Sequence, residues 1–296
     1  MDTLSAHRLV AKHVVIDGLR IAYGVHGSAE DGHKEPVALI HGTPSSSYIW
    51  RKIVPPLVDA GCSVHVYDLL GYGLSERPWS LDIDTSVSGQ VPIFEAMMAH
   101  WGLEKAHIVA HDIGGVIAQR LAVLAPERLC SLTLIDVCSF DSWPSKRTSE
   151  QMQEGLERMI KKSDADHRAH FGQWLLSTVV DREGLAAEAL ETYLDYISGP
   201  VGQGSLFQHQ VAHYDPRHSL EISDRLHELG DLAVQILWGR DDAWQRVEWA
   251  HKLHAAIPGS TLQILDRCGH FAMEDRPQAI ASLLVEFICA NSGKER

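Results

Sequence analysis

The stretch that decides the fold lies at residues 110–115, which read AHDIGG between an apolar run and a segment of small apolar residues. Small residues on both sides of Asp112 allow a strand and a helix to approach each other closely at a sharp turn. The pattern small–x–acid–x–small–small is typical of a strand-to-helix turn that lifts one side chain above the edge of a sheet. We therefore predict that Asp112 stands at the end of a central strand of an α/β domain. The simpler alternative is that Asp112 only caps the following helix, a common role of aspartate.

Apolar strands alternate with helical segments on both sides of this turn. Residues 13–25 predict a hairpin that turns at Asp17 and Gly18. Further buried strands are predicted at 36–40, 64–67, 107–110, 132–135, 234–238 and 261–265. Strands that alternate with helices favour right-handed crossovers and a parallel sheet.

The alternation is interrupted in residues 139–220, where apolar residues recur at helical spacing and no strand is predicted. The sequence therefore predicts one core domain formed by residues 1–138 and 221–296. Residues 139–220 are predicted to form a helical cap inserted into it.

The composition is that of an ordinary globular protein, with 296 residues, 45% hydrophobic and 22% charged. The formal net charge of −13 argues against a nucleic-acid partner, which needs clustered lysine and arginine. No apolar run reaches the roughly 18 residues of a membrane span, and the N-terminus lacks the pattern of a secretory signal. The five cysteines show no CxxC spacing, so neither a disulfide framework nor a zinc site is predicted. We therefore expect a cytoplasmic protein that binds a small molecule, and no metal, membrane or nucleic acid.

The chemistry predicted for Asp112 is nucleophilic. A carboxylate is ionised at neutral pH and needs no base to attack saturated carbon, which leaves an ester on the enzyme. Water must then attack that ester, and this second step needs a base. His270 is the candidate base, because it follows a glycine directly after the last predicted strand. The backbone N–H groups of Thr43 and Ile113 are the candidate oxyanion hole.

The acid that orients His270 has more than one candidate. Asp242 follows the seventh predicted strand in the sequence GRDD, with the Gly-x-x-Asp spacing that is usual for this acid. Asp136 follows the sixth strand, and a carboxylate at that strand end reaches the same histidine. Asp241 is adjacent to Asp242 and is the alternative helix cap. We favour Asp242 and keep Asp136 as the alternative acid.

Together these motifs resemble the aspartate-nucleophile branch of the α/β-hydrolases, namely epoxide hydrolases and haloalkane or haloacetate dehalogenases. The resemblance runs from about Val14 to Cys289 and is weakest in the predicted cap. It implies an α/β-hydrolase fold, with a mostly parallel eight-stranded sheet flanked by helices and the cap inserted after strand 6. It also implies hydrolysis without a cofactor.

The residue after the nucleophile favours an epoxide substrate over a halide. Related dehalogenases have Trp at this position to donate to the halide, or Arg to hold a substrate carboxylate, whereas this chain has Ile113. Epoxide hydrolases need donors from the cap, since an alkoxide is a poor leaving group, and the resemblance implies Tyr214 and His170 in that role. Trp143 and Trp174 are expected to line the pocket, or to donate to a halide in a dehalogenase. Packing of the cap on the core is the structural alternative for these four residues. The fallback donors are Tyr193, Tyr196 and His213.

We therefore predict an epoxide hydrolase that forms a hydroxyalkyl ester on Asp112 and releases a diol from a largely apolar substrate. The first alternative is a haloalkane or haloacid dehalogenase with an atypical halide site. The second is an ester or lactone hydrolase in which Asp112 acts as a base, and the third is a binding protein without turnover. A homodimer is compatible with the sequence.

Overall fold

The structure, a computed structural model, describes residues 9–27 and 35–293. The strands in these ranges are Lys12–Ile16 (β1), Leu19–His26 (β2), Glu35–Ile40 (β3), Cys62–Tyr67 (β4), Ala106–His111 (β5), Leu129–Ile135 (β6), Val234–Gly239 (β7) and Thr261–Leu265 (β8). They form one eight-stranded sheet in the order β1-β2-β4-β3-β5-β6-β7-β8. Strand β2 runs antiparallel to β1 and β4, and the other neighbours are parallel. The mostly parallel sheet and the β1–β2 hairpin predicted from the sequence are confirmed.

Helices connect the strands and cover both faces of the sheet. The α-helices are Val54–Asp59 (α1), Val87–His100 (α2), Ile113–Leu124 (α3), Lys146–Glu154 (α4), Glu157–Ile160 (α5), Asp164–Leu176 (α6), Arg182–Glu188 (α7), Leu190–Ile197 (α8), Gly199–Ser205 (α9), Arg217–Ser223 (α10), Val247–Ala256 (α11), Ala272–Asp275 (α12) and Pro277–Asn291 (α13). Short 3-10 segments lie at Ser47–Trp50, Pro126–Arg128, Val211–His213 and Leu226–Asp231, and a π-helical turn lies at Leu206–Gln210. Along β5, Ile108 and Ala110 belong to one apolar cluster and Val109 to another, because side chains alternate between the two faces of a strand. Both faces are buried, which explains why the strands are continuously apolar.

Residues 139–220 lie between β6 and β7 and contain helices and turns without a strand. This segment packs against the core beside the loop that follows β8. The backbone N–H of Phe271 donates to the carbonyl of Thr178 at 2.9 Å, and the rings of Tyr193 and Phe271 lie 5.3 Å apart. The treatment of 139–220 as a separate cap domain remains a prediction. None of the helices in the described ranges is long and apolar enough to cross a membrane.

The turn between β5 and α3 explains the small residues around Asp112. Asp112 has a φ of 53° and a ψ of −126°, which is a strained conformation for a residue with a side chain. A Cβ at Gly114 would lie 2.4 Å from the carbonyl oxygen of His41, and one at Gly115 would lie 2.2 Å from Val137 Cγ1. The side chain of Asp112 makes no capping hydrogen bond to α3. Asp112 therefore occupies the N-cap position of α3 without a side-chain capping bond of the usual kind, and the turn places its carboxylate at the end of the central strand.

Candidate active site

The carboxylate of Asp112 is buried, and its two oxygens face different partners. Oδ1 accepts a hydrogen bond from the backbone N–H of Thr43 at 2.7 Å, whereas Oδ2 lies 3.5 Å from His270 Nε2. Gly42 makes this approach possible, because a Cβ there would lie 2.4 Å from the Cβ of Asp112. Burial alone would raise the pKa of Asp112, but the hydrogen bond and charge of His270 and the N–H of Ile113 hold that pKa below its usual value. Asp112 is therefore an anion with one oxygen held and the other directed at the histidine.

His270 is fully buried between two carboxylates. Its Nδ1 lies 2.8 Å from Asp242 Oδ2, and its Nε2 faces Asp112. Burial lowers the pKa of His270, but the charges and hydrogen bonds of Asp242 and Asp112 outweigh it and hold this pKa well above its usual value. With Asp112 ionised, the imidazole is therefore protonated. Asp241 accepts a hydrogen bond from the N–H of Cys268 at 3.3 Å and so helps to hold the loop that carries His270.

The structure distinguishes the two candidate acids. Asp242 contacts His270 directly, whereas Asp136 Oδ1 accepts a hydrogen bond from the backbone N–H of Gly239 at 2.7 Å. The other oxygen of Asp136 is buried without a hydrogen-bond partner among the described residues. Burial and the charge of Asp242 raise the pKa of Asp136 well above its usual value. Asp136 is therefore a neutral carboxyl beside Asp242, and Asp242 is the acid placed to orient the histidine.

A cavity of about 350 Å³ opens above Asp112. Its apolar wall consists of Pro44, Ile113, Trp143, Pro144, Trp174, Leu206, Ala243 and Trp244. The polar groups that line it belong to Thr43, Cys138, Ser142, Ser145, Thr148, Ser177, Tyr214 and Gln245. Asp112 is the one charged side chain among the lining residues in the described ranges. The cavity therefore suits a small, neutral and largely apolar molecule.

Three of the residues predicted from the cap, Tyr214, Trp143 and Trp174, line this cavity. The hydroxyl of Tyr214 forms a hydrogen bond with Thr43 Oγ1. Burial raises the pKa of Tyr214 well above its usual value, so the side chain remains a neutral phenol. The indole N–H of Trp143 donates to Ser219 Oγ at 2.9 Å and is therefore occupied within the protein.

His170 is not among the residues that line the cavity, in contrast to the sequence-based prediction. It lies one turn before Trp174 on α6, and its ring packs against Phe171 with the centroids 5.0 Å apart. The two positions share one side of the helix, but the docking of α6 brings Trp174 rather than His170 to the cavity. The fallback donors also lie outside the lining: Tyr193, Tyr196 and His213.

Three cavity residues that the sequence interpretation missed, Cys138, Trp244 and Gln245, bear on the chemistry. Trp244 stacks on the imidazole of His270, with the ring centroids 5.3 Å apart and the planes inclined by 21°. Cys138 Sγ lies 3.4 Å from Asp112 Oδ2. Each of the three follows a candidate acid by two or three residues, so each belongs to a loop at the same edge of the sheet. Their short spacing after a candidate acid was the signal in the sequence that could have identified these three residues.

Comparison with known families agrees with this architecture. The family model described as alpha/beta hydrolase fold matches residues 35–277. The chain belongs to the α/β-hydrolase fold family. The predicted fold is thus confirmed, and the chain is an α/β-fold hydrolase.

Individual relatives of this α/β-hydrolase cover nearly its whole length. A 2-hydroxy-6-oxononadienedioate/2-hydroxy-6-oxononatrienedioate hydrolase of Cupriavidus pinatubonensis is 23% identical over 269 residues, 90% of this chain and 91% of that protein. An α/β hydrolase fold protein from Burkholderia ambifaria is 30% identical with a TM-score of 0.83, over 94% of this chain and 97% of that chain. A serine hydrolase from Cycloclasticus zankles shares the fold with a TM-score of 0.79 at 17% identity, over 96% of this chain and 99% of that chain. None of these three is named as an epoxide hydrolase or a dehalogenase, so the predicted aspartate-nucleophile branch depends on this chain's own residues.

Proposed function

We propose that this α/β-hydrolase converts an epoxide into a diol through a covalent ester on Asp112. The observation that carries the proposal is that the two oxygens of the Asp112 carboxylate have different partners. Oδ1 is held by the N–H of Thr43, while Oδ2 faces His270 at the floor of the cavity. A nucleophile of this kind needs one oxygen outside the oxyanion hole to attack and one oxygen held there to accept charge in the following step.

In the first step, Asp112 Oδ2 attacks an epoxide carbon and the carbon–oxygen bond of the ring breaks. The products are an ester on Asp112 and an alkoxide, which takes a proton. Tyr214 is the donor we assign to this oxygen, because its neutral phenol lines the cavity beside Thr43. We propose that residues 139–220 act as the cap that brings Tyr214 over the nucleophile.

In the second step, water attacks Cγ of the ester and His270 accepts the proton of that water. Esterification removes the negative charge of Asp112, one of the two charges that hold the pKa of His270 high, so the pKa falls and Nε2 becomes a base. The N–H groups of Thr43 and Ile113 stabilise the developing oxyanion on Oδ1. Collapse of the intermediate returns the proton from His270 to the leaving oxygen and releases the diol. The second proton of the water passes from Asp112 to the Tyr214 phenolate, which restores the Asp112 carboxylate and the Tyr214 phenol.

The cavity supports an epoxide more than a halide. Of its three indoles, Trp143 donates to Ser219 at 2.9 Å and Trp244 donates to Ser177 at 3.0 Å. A departing halide would therefore find mainly the N–H of Trp174, and Ile113 contributes no side-chain donor. A strained epoxide needs a single hydroxyl donor, and we assign that role to the Tyr214 hydroxyl, which lines the cavity and would exchange its hydrogen bond with Thr43 Oγ1 for one with the epoxide oxygen.

A second candidate is the activity named for the Cupriavidus relative, hydrolysis of a 2-hydroxy-6-oxo-dienedioate, because that protein aligns over 90% of this chain. A dicarboxylate would need cationic partners, and no lysine or arginine is among the lining residues in the described ranges. The only charge there is the anion of Asp112. We therefore rank this candidate second.

The test is to trap the ester. His270→Gln should stop the second step, so incubation with a panel of aliphatic and aryl epoxides should raise the intact mass by the full mass of the epoxide. Asp112→Asn is the matched control and should gain no mass. Turnover of a dienedioate without any adduct would favour the second candidate, and release of halide from haloalkanes would favour a dehalogenase. Failure of every epoxide to form an adduct would refute the proposal.

A further inference from the structure

A closed ring of contacts starts and ends at Asp112 Oδ2, the carboxylate oxygen that does not accept the N–H of Thr43. From Asp112 Oδ2 the ring passes to His270 Nε2 at 3.5 Å, and from His270 Nδ1 to Asp242 Oδ2 at 2.8 Å. Asp242 Oδ1 accepts the backbone N–H of Gln245 at 2.8 Å. The side-chain Nε2 of Gln245 donates to Cys138 Sγ at 3.3 Å, and that thiol donates to Asp112 Oδ2 at 3.4 Å. Two of these five side chains, Cys138 and Gln245, have no part in the mechanism proposed above.

The amide of Gln245 is fixed in one orientation by this ring. Because the thiol of Cys138 gives its proton to Asp112, its sulfur accepts the N–H of Gln245, and the amide oxygen must point elsewhere. That oxygen, Oε1, is buried and has no hydrogen-bond donor among the described residues, and Gln245 as a whole is only 5% exposed. A buried acceptor without a donor costs about 1–3 kcal/mol, which a water molecule in a polar recess recovers. Gln245 also lines the cavity, so its side chain borders the space above Asp112.

The same ring of contacts contains a second buried atom without a hydrogen-bond partner in the described ranges, Nε2 of His270. Its Nε2 makes only a long contact of 3.5 Å with Asp112 Oδ2 and has no other partner among the described residues. A water molecule has two protons to give, so Gln245 Oε1 accepts one while a neutral His270 accepts the other. The lone pairs of that water are then left free for the ester carbon.

We infer that Gln245, oriented by Cys138, holds the water that hydrolyses the ester on Asp112. This inference rests on the proposed function and extends it, because it assigns the second step to a side chain outside the nucleophile, histidine and acid. Gln245 is a catalytic residue in this scheme, since it touches the reacting water. Cys138 is a positioning residue that acts through the amide.

The inference predicts a selective defect in one of the two steps. Gln245→Met keeps the volume of the side chain but removes the acceptor, so ester hydrolysis should slow by about 100-fold, the effect of misplacing a reacting group. Ester formation should stay within about twofold of wild type, because Oδ2 and Tyr214 are untouched; that rate also reports that the variant is folded. Rapid quench followed by intact-mass measurement in a single turnover gives both rates. The ester should therefore accumulate in Gln245→Met without any change at His270.

Two further variants sharpen the test. Gln245→Glu keeps an acceptor oxygen at the same place and should hydrolyse the ester faster than Gln245→Met does. Gln235→Met makes the same replacement at a buried glutamine near the start of β7, at the end of the strand opposite to the site, and should leave both rates unchanged.

The outcomes separate the inference from the proposed function. If His270→Gln forms the ester but Gln245→Met hydrolyses it at the wild-type rate, the role of Gln245 is refuted and the covalent mechanism stands. If Gln245→Met slows both steps equally, or Gln245→Glu is no faster than Gln245→Met, Gln245 is a packing residue and the inference fails. If no ester forms in His270→Gln, the proposed function itself is refuted.

Discussion

Replacement of Asp242 by asparagine tests whether the neighbouring acid, Asp136, can replace the negative charge of Asp242 beside His270. Asp242 Oδ2 lies 2.8 Å from His270 Nδ1, and both side chains are fully buried. In a buried nucleophile–histidine–acid triad, changing the acid to its amide lowers turnover by about 10⁴-fold, which corresponds to roughly 5 kcal/mol. This chain has a second carboxyl, Asp136, whose pKa is raised by burial and by the charge of Asp242. Asp242→Asn removes that charge but not the burial, so we expect the pKa of Asp136 to fall and Asp136 to supply part of the lost charge.

The expected loss is therefore smaller than for a triad with one acid. An ionised Asp136 would restore a negative charge near His270 but not the direct hydrogen bond, which His270 Nδ1 makes with Asp242 in this structure. Coulomb energy falls inversely with distance, and retaining about half of it would reduce the loss to about 100-fold. We expect Asp242→Asn to lower turnover by about 100- to 1,000-fold, and the double variant Asp136→Asn/Asp242→Asn by about 10⁴-fold.

Steady-state turnover of an epoxide that forms the ester, with rapid-quench mass measurement, is the assay. Asp136→Asn alone should remain close to wild type, because Asp242, and not Asp136, contacts His270 directly. Ester should accumulate in Asp242→Asn, since the second step is the one that needs the base. If Asp242→Asn is as slow as the double variant, Asp136 does not compensate. A large loss in Asp136→Asn alone would reverse the assignment of the acid.

Three further predictions test other parts of the site. Tyr214→Phe should slow ester formation by about 100-fold, the effect of losing a general acid, without slowing ester hydrolysis; equal slowing of both steps in a single turnover would contradict the assigned role. Glu274→Gln breaks the buried pair between Glu274 and Arg51, in which Nη2 and Oε2 lie 2.8 Å apart. It should lower the free energy of unfolding by about 3 kcal/mol, and an unchanged urea midpoint would refute this. Because esterification of Asp112 lowers the pKa of His270, the acid limb of ester hydrolysis should lie at lower pH than the pKa of His270 in the unreacted enzyme. NMR titration of the imidazole supplies the reference, and coincident midpoints would argue against the charge change.

The positions of Asp112 and His270 were predictable because local covalent geometry constrains them. A turn as sharp as that at Asp112 requires small neighbours, and a Cβ at Gly115 would collide with Val137. The acid was not predictable to the same degree. Asp136 and Asp242 end neighbouring strands, β6 and β7, so both reach the same space. The choice between them depends on tertiary contacts, in particular the N–H of Gly239 that takes one oxygen of Asp136.

Which residues of the predicted cap line the cavity could be predicted only in part from the sequence. Tyr214 and Trp174 were predicted and line the cavity, whereas His170, one turn earlier on α6, does not. A helical pattern indicates which side of a helix is buried but not how far the helix is shifted along the surface that it covers. Short helices such as α5 and α7 take their stability from tertiary packing rather than from propensity. Their placement within residues 139–220 therefore had no signal in the sequence.

In the proposed mechanism, an aspartate in place of the usual serine nucleophile changes when the histidine becomes a base. Serine is neutral and needs the base in order to attack, so a serine hydrolase requires neutral histidine from the start. Asp112 is an anion beside His270, and its charge, with that of Asp242, keeps the imidazole protonated in the unreacted enzyme. The base is then formed only after Asp112 becomes an ester and loses its charge. In this proposed scheme, attack by water is restricted to the enzyme that carries an ester, and Gln245, the residue inferred to hold that water, belongs to the same ring of contacts as His270.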